Sequence, residues 1–200
     1  LAQSLLSEPK MFNHNRGLWG YSGPAADGEP LTIQSTGIGG PSAAIVISEL
    51  VDLGARTMLR VGTCGALAPE LELGQLLIVR EAICDDGASR ALGAGDRVAP
   101  DSGLVARLEA AAGASATAAA VVSTDLFYGR TEQRWTADGA VAVEMEAATL
   151  LALGARDGFA AAALLLVTDL LIPQRRRIDP ESLREGEYRL GALAARALMA

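Results

Sequence analysis

Six short runs of aliphatic and β-branched residues, at 31–36, 57–62, 75–83, 118–123, 140–143 and 160–168, have the length and composition of strands. Helix-like stretches at 41–53, 102–111, 146–157 and 180–199 each start near a proline, a serine or an acidic residue, as helix N-termini do. Strands alternating with helices predict an α/β sandwich, with helices on both faces of a sheet. The Gly- and Asp-rich segment 85–101 reads as a long surface loop. Residues 1–6 form an apolar, helix-like run with no strand before it, an odd start for such a fold, so the native N-terminus is expected to lie upstream.

The chain has 200 residues, half of them apolar, enough for one sizeable core and a single domain. A formal charge of −7 argues against a general nucleic-acid surface, which needs clustered Lys and Arg. Lys10 is the only lysine, which removes most lysine chemistry and leaves arginine as the group for gripping oxyanions. Cys64, Cys84 and His14 offer no zinc cluster, and the two cysteines read as reduced thiols, so no metal is expected. The longest apolar run, 159–167, is too short to span a membrane, and the first residues do not read as a signal peptide. A soluble, cytoplasmic protein is the expectation.

Several segments carry groups suited to chemistry. Arg60-Val61-Gly62-Thr63-Cys64-Gly65-Ala66 places an arginine, a hydroxyl and two glycines where a strand is expected to enter a loop. There Arg60 can hold an oxyanion in a bidentate grip while Thr63 and nearby N–H groups donate to its other oxygens. The equal alternative is an arginine satisfied by a carboxylate beside a glycine turn. Val143-Glu144-Met145-Glu146-Ala147-Ala148 ends a strand and opens a helix. A carboxylate there can accept hydrogen bonds from both ribose hydroxyls with Met145 as an apolar wall, although acidic residues are favoured in any first helical turn.

Asp169 is expected at a strand end, where partial desolvation favours the protonated form needed of a general acid; the plainer alternative is a turn or helix cap. In Ser123-Thr124-Asp125-Leu126-Phe127-Tyr128, an aromatic ring can stack on a planar base, or simply belong to the core. Arg16 lies in an early turn, and His14, the only histidine, reads as a loop residue, so no Ser-His-Asp triad is available. Gly37-Ile38-Gly39-Gly40-Pro41-Ser42 superficially matches a dinucleotide fingerprint, but the third glycine is replaced by Ser42 and the next strand ends without the ribose-holding acid.

Taken together, these segments resemble the hexameric purine nucleoside phosphorylase and uridine phosphorylase family. The resemblance runs in family order through an NxRGxxGYSG-like opening at 13–23, STGIGGPSA at 35–43, RVGTCGA at 60–66, STDLFY at 123–128, VEMEAA at 143–148 and VTD at 167–169. It implies a three-layer α/β/α fold with a mixed central sheet, and an active site shared across a dimer, with dimers assembled into a hexamer. It implies cleavage of a nucleoside by inorganic phosphate as co-substrate, with no further cofactor. Arg60 and Thr63 then resemble the phosphate ligands, and Arg16 the arginine lent by a neighbouring subunit. Glu146 resembles the ribose ligand, Met145 and Glu144 its neighbours, and Phe127, Cys64 and Gly65 the base pocket. Asp169 resembles the acid that protonates N7 of a purine, and Arg184, near the start of the last helix, its helper, although the intervening loop also carries Arg175, Arg176 and Arg177.

The family's N-terminal strand and Gly-Asp-Pro phosphate loop are missing from the sequence, and are expected to precede Leu1. Uridine phosphorylase is the competing reading, with Glu132-Gln133-Arg134 where uracil is read; Asp169 favours purines. A nucleosidase would not need Arg60 and Arg16, and a non-catalytic nucleoside-binding protein would be expected to lack Asp169 or Glu146.

Overall fold

A computed structural model describes residues 1–128 and 132–200. The chain opens with a short helix, α1 (Ala2–Leu5), and a meander of three strands, β1 (Lys10–Asn13), β2 (Gly20–Pro24) and β3 (Pro30–Gln34), which pair antiparallel as a small sheet of their own. Then come α2 (Gly40–Asp52), β4 (Thr57–Ala66), β5 (Leu76–Asp85), α3 (Gly87–Ala91), β6 (Arg97–Val98) and α4 (Ser102–Ala112). The rest is β7 (Ala116–Thr124), α5 (Glu132–Ala137), β8 (Ala142–Glu144), α6 (Ala147–Asp157), β9 (Ala160–Leu170), β10 (Arg176–Arg177) and α7 (Pro180–Met199).

Seven strands form the main sheet in the order β10-β9-β4-β8-β7-β5-β6, with parallel and antiparallel pairs mixed. A further antiparallel pairing of β5 with β9, Leu76 to Leu166 through Ile78 to Leu164, bends the sheet back on itself. Both faces are buried, which is why β9 is an almost unbroken apolar run instead of an alternating one. Ala161, Ala163, Leu165 and Val167 pack with Ala43 and Ile47 of α2 and Leu151 of α6. Ala162, Leu164 and Leu166 face Leu104 and Leu108 of α4 and Leu190 and Leu193 of α7. The three layers are therefore α2, α3 and α6, the sheet, and α4 with α7. The helices start where side chains satisfy their free N–H groups: Asp101 accepts from Leu104 N, and Asp179 from Glu181 N and Ser182 N with Pro180 in the first turn.

The structure differs from the sequence expectation in three places. The 31–36 run belongs to the small sheet, not to the main one. The 85–101 segment is not one loop, because Asp86 caps α3 through Ser89 N, and β6 adds to the edge of β5. RVGTCGA and the residues around Asp169 are strand throughout, because β8 pairs with Gly65 and Ala66 while β10 pairs with Asp169 and Leu170. Among the described residues β8 covers only that end of β4, and residues 57–64 have no partner on that side. A groove of about 770 Å³ runs along this free edge, lined by Leu31 and Ile33 of β3, Ile47 of α2, Ala194 of α7, Arg60 and Glu146.

Candidate active site

β8 runs antiparallel to β4, so the chain leaving Val143 heads back toward Arg60 before turning into α6. Two carboxylates meet the guanidinium there. Arg60 Nε donates to Glu144 Oε2 at 2.8 Å, and Arg60 Nη2 lies 2.7 Å from Glu146 Oε2. The guanidinium passes directly over Gly62, where a Cβ would stand 2.7 Å from Nη1 and 3.0 Å from Nη2. Gly62 is thus the residue that lets a side chain in the middle of a strand bend along it. The bidentate edge of Arg60 that the sequence suggested for an oxyanion is engaged by carboxylates, and the remaining Nη N–H groups are what an incoming anion can reach.

Glu144 is the better anchored of the two acids. It accepts from Ser123 Oγ and from the backbone N–H groups of Glu146 and Ala147, both at 2.8 Å, while Ser123 Oγ accepts from Ala148 N at 2.8 Å. Ser123 is the direct cross-strand partner of Glu144, a fact set by the β7–β8 register and absent from any local motif. Glu146 turns the other way: Gly39 N–H, at a φ of +84°, donates to its Oε1, so the STGIGGPSA turn closes onto this carboxylate. That turn is held from behind by a buried network in which Asp86 accepts from Ser89 N at 2.8 Å and Thr149 Oγ1 at 3.0 Å. A Cβ on Gly40 would collide with Thr149, Ala88 and Asp86 alike.

Burial is the largest influence on Glu146 and pushes its carboxyl up from the ordinary glutamate value, against the pull of Arg60 and the Gly39 N–H. The folded protein then holds this proton more tightly than the unfolded chain, so stability falls as pH rises from the ordinary value through the raised one. Glu146→Gln has no such proton to release. Melting temperatures from about pH 4 to about pH 8 should therefore decline less steeply for the variant than for the wild type over that window. Parallel profiles would show that burial of Glu146 does not govern its titration.

On the other side of β4 stands β9. Gly65 pairs with Val143 on one flank and Asp169 on the other, so the acid lies across one residue without a side chain from the strand that carries Glu144. Asp169 Oδ2 accepts from Thr168 Oγ1 at 3.1 Å, and Oδ1 from Arg175 Nη2 at 3.2 Å. Leu171 packs on Gly65, with carbons 3.0–3.4 Å from where a Cβ would be. The helper expected from α7, Arg184, is instead exposed and has no ion pair among the described residues; the arginine at Asp169 is Arg175, because β10 folds back on β9.

The remaining candidates are more dispersed. Thr63 is exposed and stands at the alternate strand position to Arg60, so the pleat directs the two to opposite faces of β4. Arg16 is exposed in a left-handed conformation between β1 and β2, without an ion pair among the described residues. Met145 lines a second cavity of about 700 Å³ with Ile38, Gly39, Pro41 and Asp125, separate from the groove that reaches Glu146. Phe127 is 64 % exposed and makes an edge-to-face contact with Tyr128 at 5.0 Å, outside both cavities.

Cys64 is core: burial first, then the nearby Glu144 carboxylate, pushes its thiol far up, and it is no nucleophile. Cys84 is likewise a free, buried thiol pushed up by burial. Arg134, a uracil reader in the competing interpretation, pairs with Asp85, which also accepts from Trp135 Nε1 at 2.7 Å. Among the described residues no group of acidic, His and Cys side chains forms a metal cluster, and no helix is long and apolar enough to cross a membrane.

Comparison with known proteins gives this arrangement a family. A purine nucleoside phosphorylase of the DeoD type from Alkaliphilus metalliredigens is 32 % identical over 181 residues, covering 86 % of this chain and 77 % of the relative. A DeoD-type enzyme from Geobacillus kaustophilus is 31 % identical over 180 residues, 86 % of this chain and 76 % of the relative. A guanosine phosphorylase from Halorubrum lacusprofundi is 39 % identical over 153 residues, 73 % of this chain and 64 % of its own length. The family model described as Phosphorylase superfamily matches residues 1–199, and the chain belongs to that family.

Proposed function

We propose that the protein is a purine nucleoside phosphorylase, a pentosyltransferase that uses inorganic phosphate to release a purine from its nucleoside and leave (deoxy)ribose 1-phosphate. The observation that carries this reading is the register around Gly65, which sets Asp169 across that one glycine from β8, the strand that leads into the Glu144–Glu146 turn. The names of the relatives, purine nucleoside and guanosine phosphorylases, support the same substrate class.

In this reading Glu146, fixed by Gly39 N–H and Arg60, uses its remaining lone pairs for the ribose hydroxyls, while Met145 lines the neighbouring cavity. Phosphate meets the free Nη groups of Arg60, with a subunit-borne Arg16 completing its shell, while Thr63 lies on the other face of β4. Gly65, Cys64 backbone and Phe127 border the base. Departure of the base leaves an oxocarbenium-like sugar, so phosphate both stabilises and captures the anomeric carbon while Asp169 neutralises the leaving nitrogen. No cofactor other than phosphate enters this scheme.

The free edge of β4 and its groove are where the additional strand and Gly-Asp-Pro loop implied by the resemblance would lie, next to Arg60 and Glu146. The resemblance implies a homo-oligomer, a hexamer built as a trimer of dimers, in which Arg16 would reach another subunit's phosphate. The two free thiols suit a reducing cytoplasm.

Base release from inosine, guanosine, adenosine and uridine, with and without phosphate, tests the proposal. Phosphate-dependent release from the purine nucleosides is the expected result. Release from uridine alone would move the assignment to a uridine phosphorylase, equal release without phosphate to a nucleosidase, and binding without turnover to a nucleoside-binding protein.

A further inference from the structure

We infer that Asn13 and Gln34 are positioning residues for phosphate binding: their amides meet across Gly20 and hold the turn that presents Arg16 as a ready-made anion ligand. The inference rests on the phosphorylase reading, in which Arg16 serves a phosphate, and goes beyond it by naming what fixes that arginine.

Arg16 sits on strained backbone. Its φ of +53° and ψ of 22° lie in the left-handed region, which is unfavourable for a residue with a Cβ. A conformation of this kind persists only where the surroundings enforce it. The Arg16 side chain does not supply the enforcement, since it is exposed and has no ion pair among the described residues.

The small sheet supplies it. Gly20, in the middle strand β2, pairs with Asn13 of β1 on one side and with Gln34 of β3 on the other. With no side chain between them the two amides close over this glycine, where a Cβ would overlap Gln34 Oε1 and the Phe12 ring. Asn13 Oδ1 accepts from Asn15 N at 3.0 Å, at the start of the turn, and Asn13 Nδ2 donates to Leu18 O at 2.7 Å, at its end. Gln34 Nε2 donates to the same Leu18 O at 3.0 Å and to Ser35 O at 2.7 Å. The Leu18 carbonyl thus has both lone pairs engaged. The turn Asn15–Gly17 is pinned at each end while its middle residue, Arg16, stays exposed.

Phosphate gains from this arrangement. A loop free to move has to be ordered when the anion arrives, and that cost is subtracted from binding; a pinned turn has met it on folding. The strain at Arg16 is likewise carried by the folded sheet instead of by the complex. In the phosphorylase reading neither amide touches the ribose, the base or the reacting atoms. Loss of the clamp should therefore appear in phosphate binding and not in the chemical step.

Steady-state rates with phosphate varied, and with inosine varied at fixed phosphate, test this. Asn13→Ala should raise the KM for phosphate about 3- to 10-fold, with kcat and the KM for inosine within about twofold of wild type. Gln34→Ala, which leaves both Asn13 bonds to the turn in place, should give a smaller rise in the same constant, and decides the matter if Asn13→Ala does not fold. Arg16→Ala should raise it about 10- to 100-fold, the worth of a hydrogen bond to a charged group. In the Arg16→Ala background, Asn13→Ala should add less than about twofold, because it acts through the arginine. An unchanged KM for phosphate in both amide variants would overturn the inference. So would an equal rise with and without Arg16, or a parallel rise in both KM values. Wild-type protein that releases base without phosphate would refute the phosphorylase reading, and this inference with it, before any variant is compared.

Discussion

Arg60→Met should both destabilise the fold and remove phosphate-dependent base release. The substitution leaves Glu144 and Glu146, whose side chains are 0 % and 9 % exposed, facing one another without their shared cation. Removing one partner of a buried ion pair costs about 3–5 kcal/mol, and the lower figure applies here because Arg60 retains 15 % exposure. For a chain of this size about 3 kcal/mol corresponds to a fall of roughly 6–12 °C in melting temperature. A second variant separates electrostatics from packing. Arg60→Met combined with Glu146→Gln leaves a single carboxylate, Glu144, which keeps Ser123 Oγ and two backbone N–H donors of its own. Most of the lost stability should return in that double variant, while the phosphate requirement stays lost. A melting temperature within about 2 °C of wild type for Arg60→Met alone would show that the carboxylates are solvated and that Arg60 is not their counterion.

This ion triad also shows where sequence reading stops. The motif around Arg60 allowed an oxyanion ligand or an arginine satisfied by a carboxylate, and no local pattern could choose, because the partners lie 84 and 86 residues away, at the end of a strand and in the turn that follows it, and the direction of that strand is set by pairing at Gly65 and Ala66. The long elements were legible: α4 and α7 declare themselves through Asp101, Asp179 and Pro180, and β9 through its apolar run. Their ends were not. The strand was expected to end at Gly62 and pass into a loop through Gly65, because glycine is poor in strands, yet both stay in β4, where one gives passage to Arg60 and the other is covered by Leu171. Asp85-Asp86-Gly87 likewise reads as a loop, and only the hydrogen bonds of Asp86 to Ser89 and Thr149 make it a helix cap and a brace for the Gly39–Gly40 turn. The pairing of Asp169 with Arg175 was hidden for a related reason: spacing along a helix says nothing about a hairpin that brings Arg175 to the acid.

Asp169→Asn should lower kcat for purine nucleosides by about 10²- to 10⁴-fold, the usual contribution of a positioned general acid, with KM changed by no more than a few-fold. The structure explains why the effect should fall on kcat. On β9, Ala163, Leu165 and Val167 face one core and Ala162, Leu164 and Leu166 the other, and strict alternation would carry residue 169 into the α2–α6 core. The register instead slips between Cys64 and Gly65, so that Cys64 faces Val167 and Gly65 faces Asp169, with Thr168 as the extra residue. A bulge of this kind bends a strand and re-aims a side chain. It takes the carboxyl out of the alternation, opposite a glycine, and leaves it 15 % exposed at the rim. Asparagine preserves the shape, the Thr168 contact and an oxygen for Arg175, so substrate should still be held; what it lacks is a proton to give. Initial rates on inosine and guanosine at saturating phosphate would measure the loss. A variant that keeps more than a tenth of the wild-type kcat would exclude Asp169 as the acid, and the bulge would then have to be explained by packing alone.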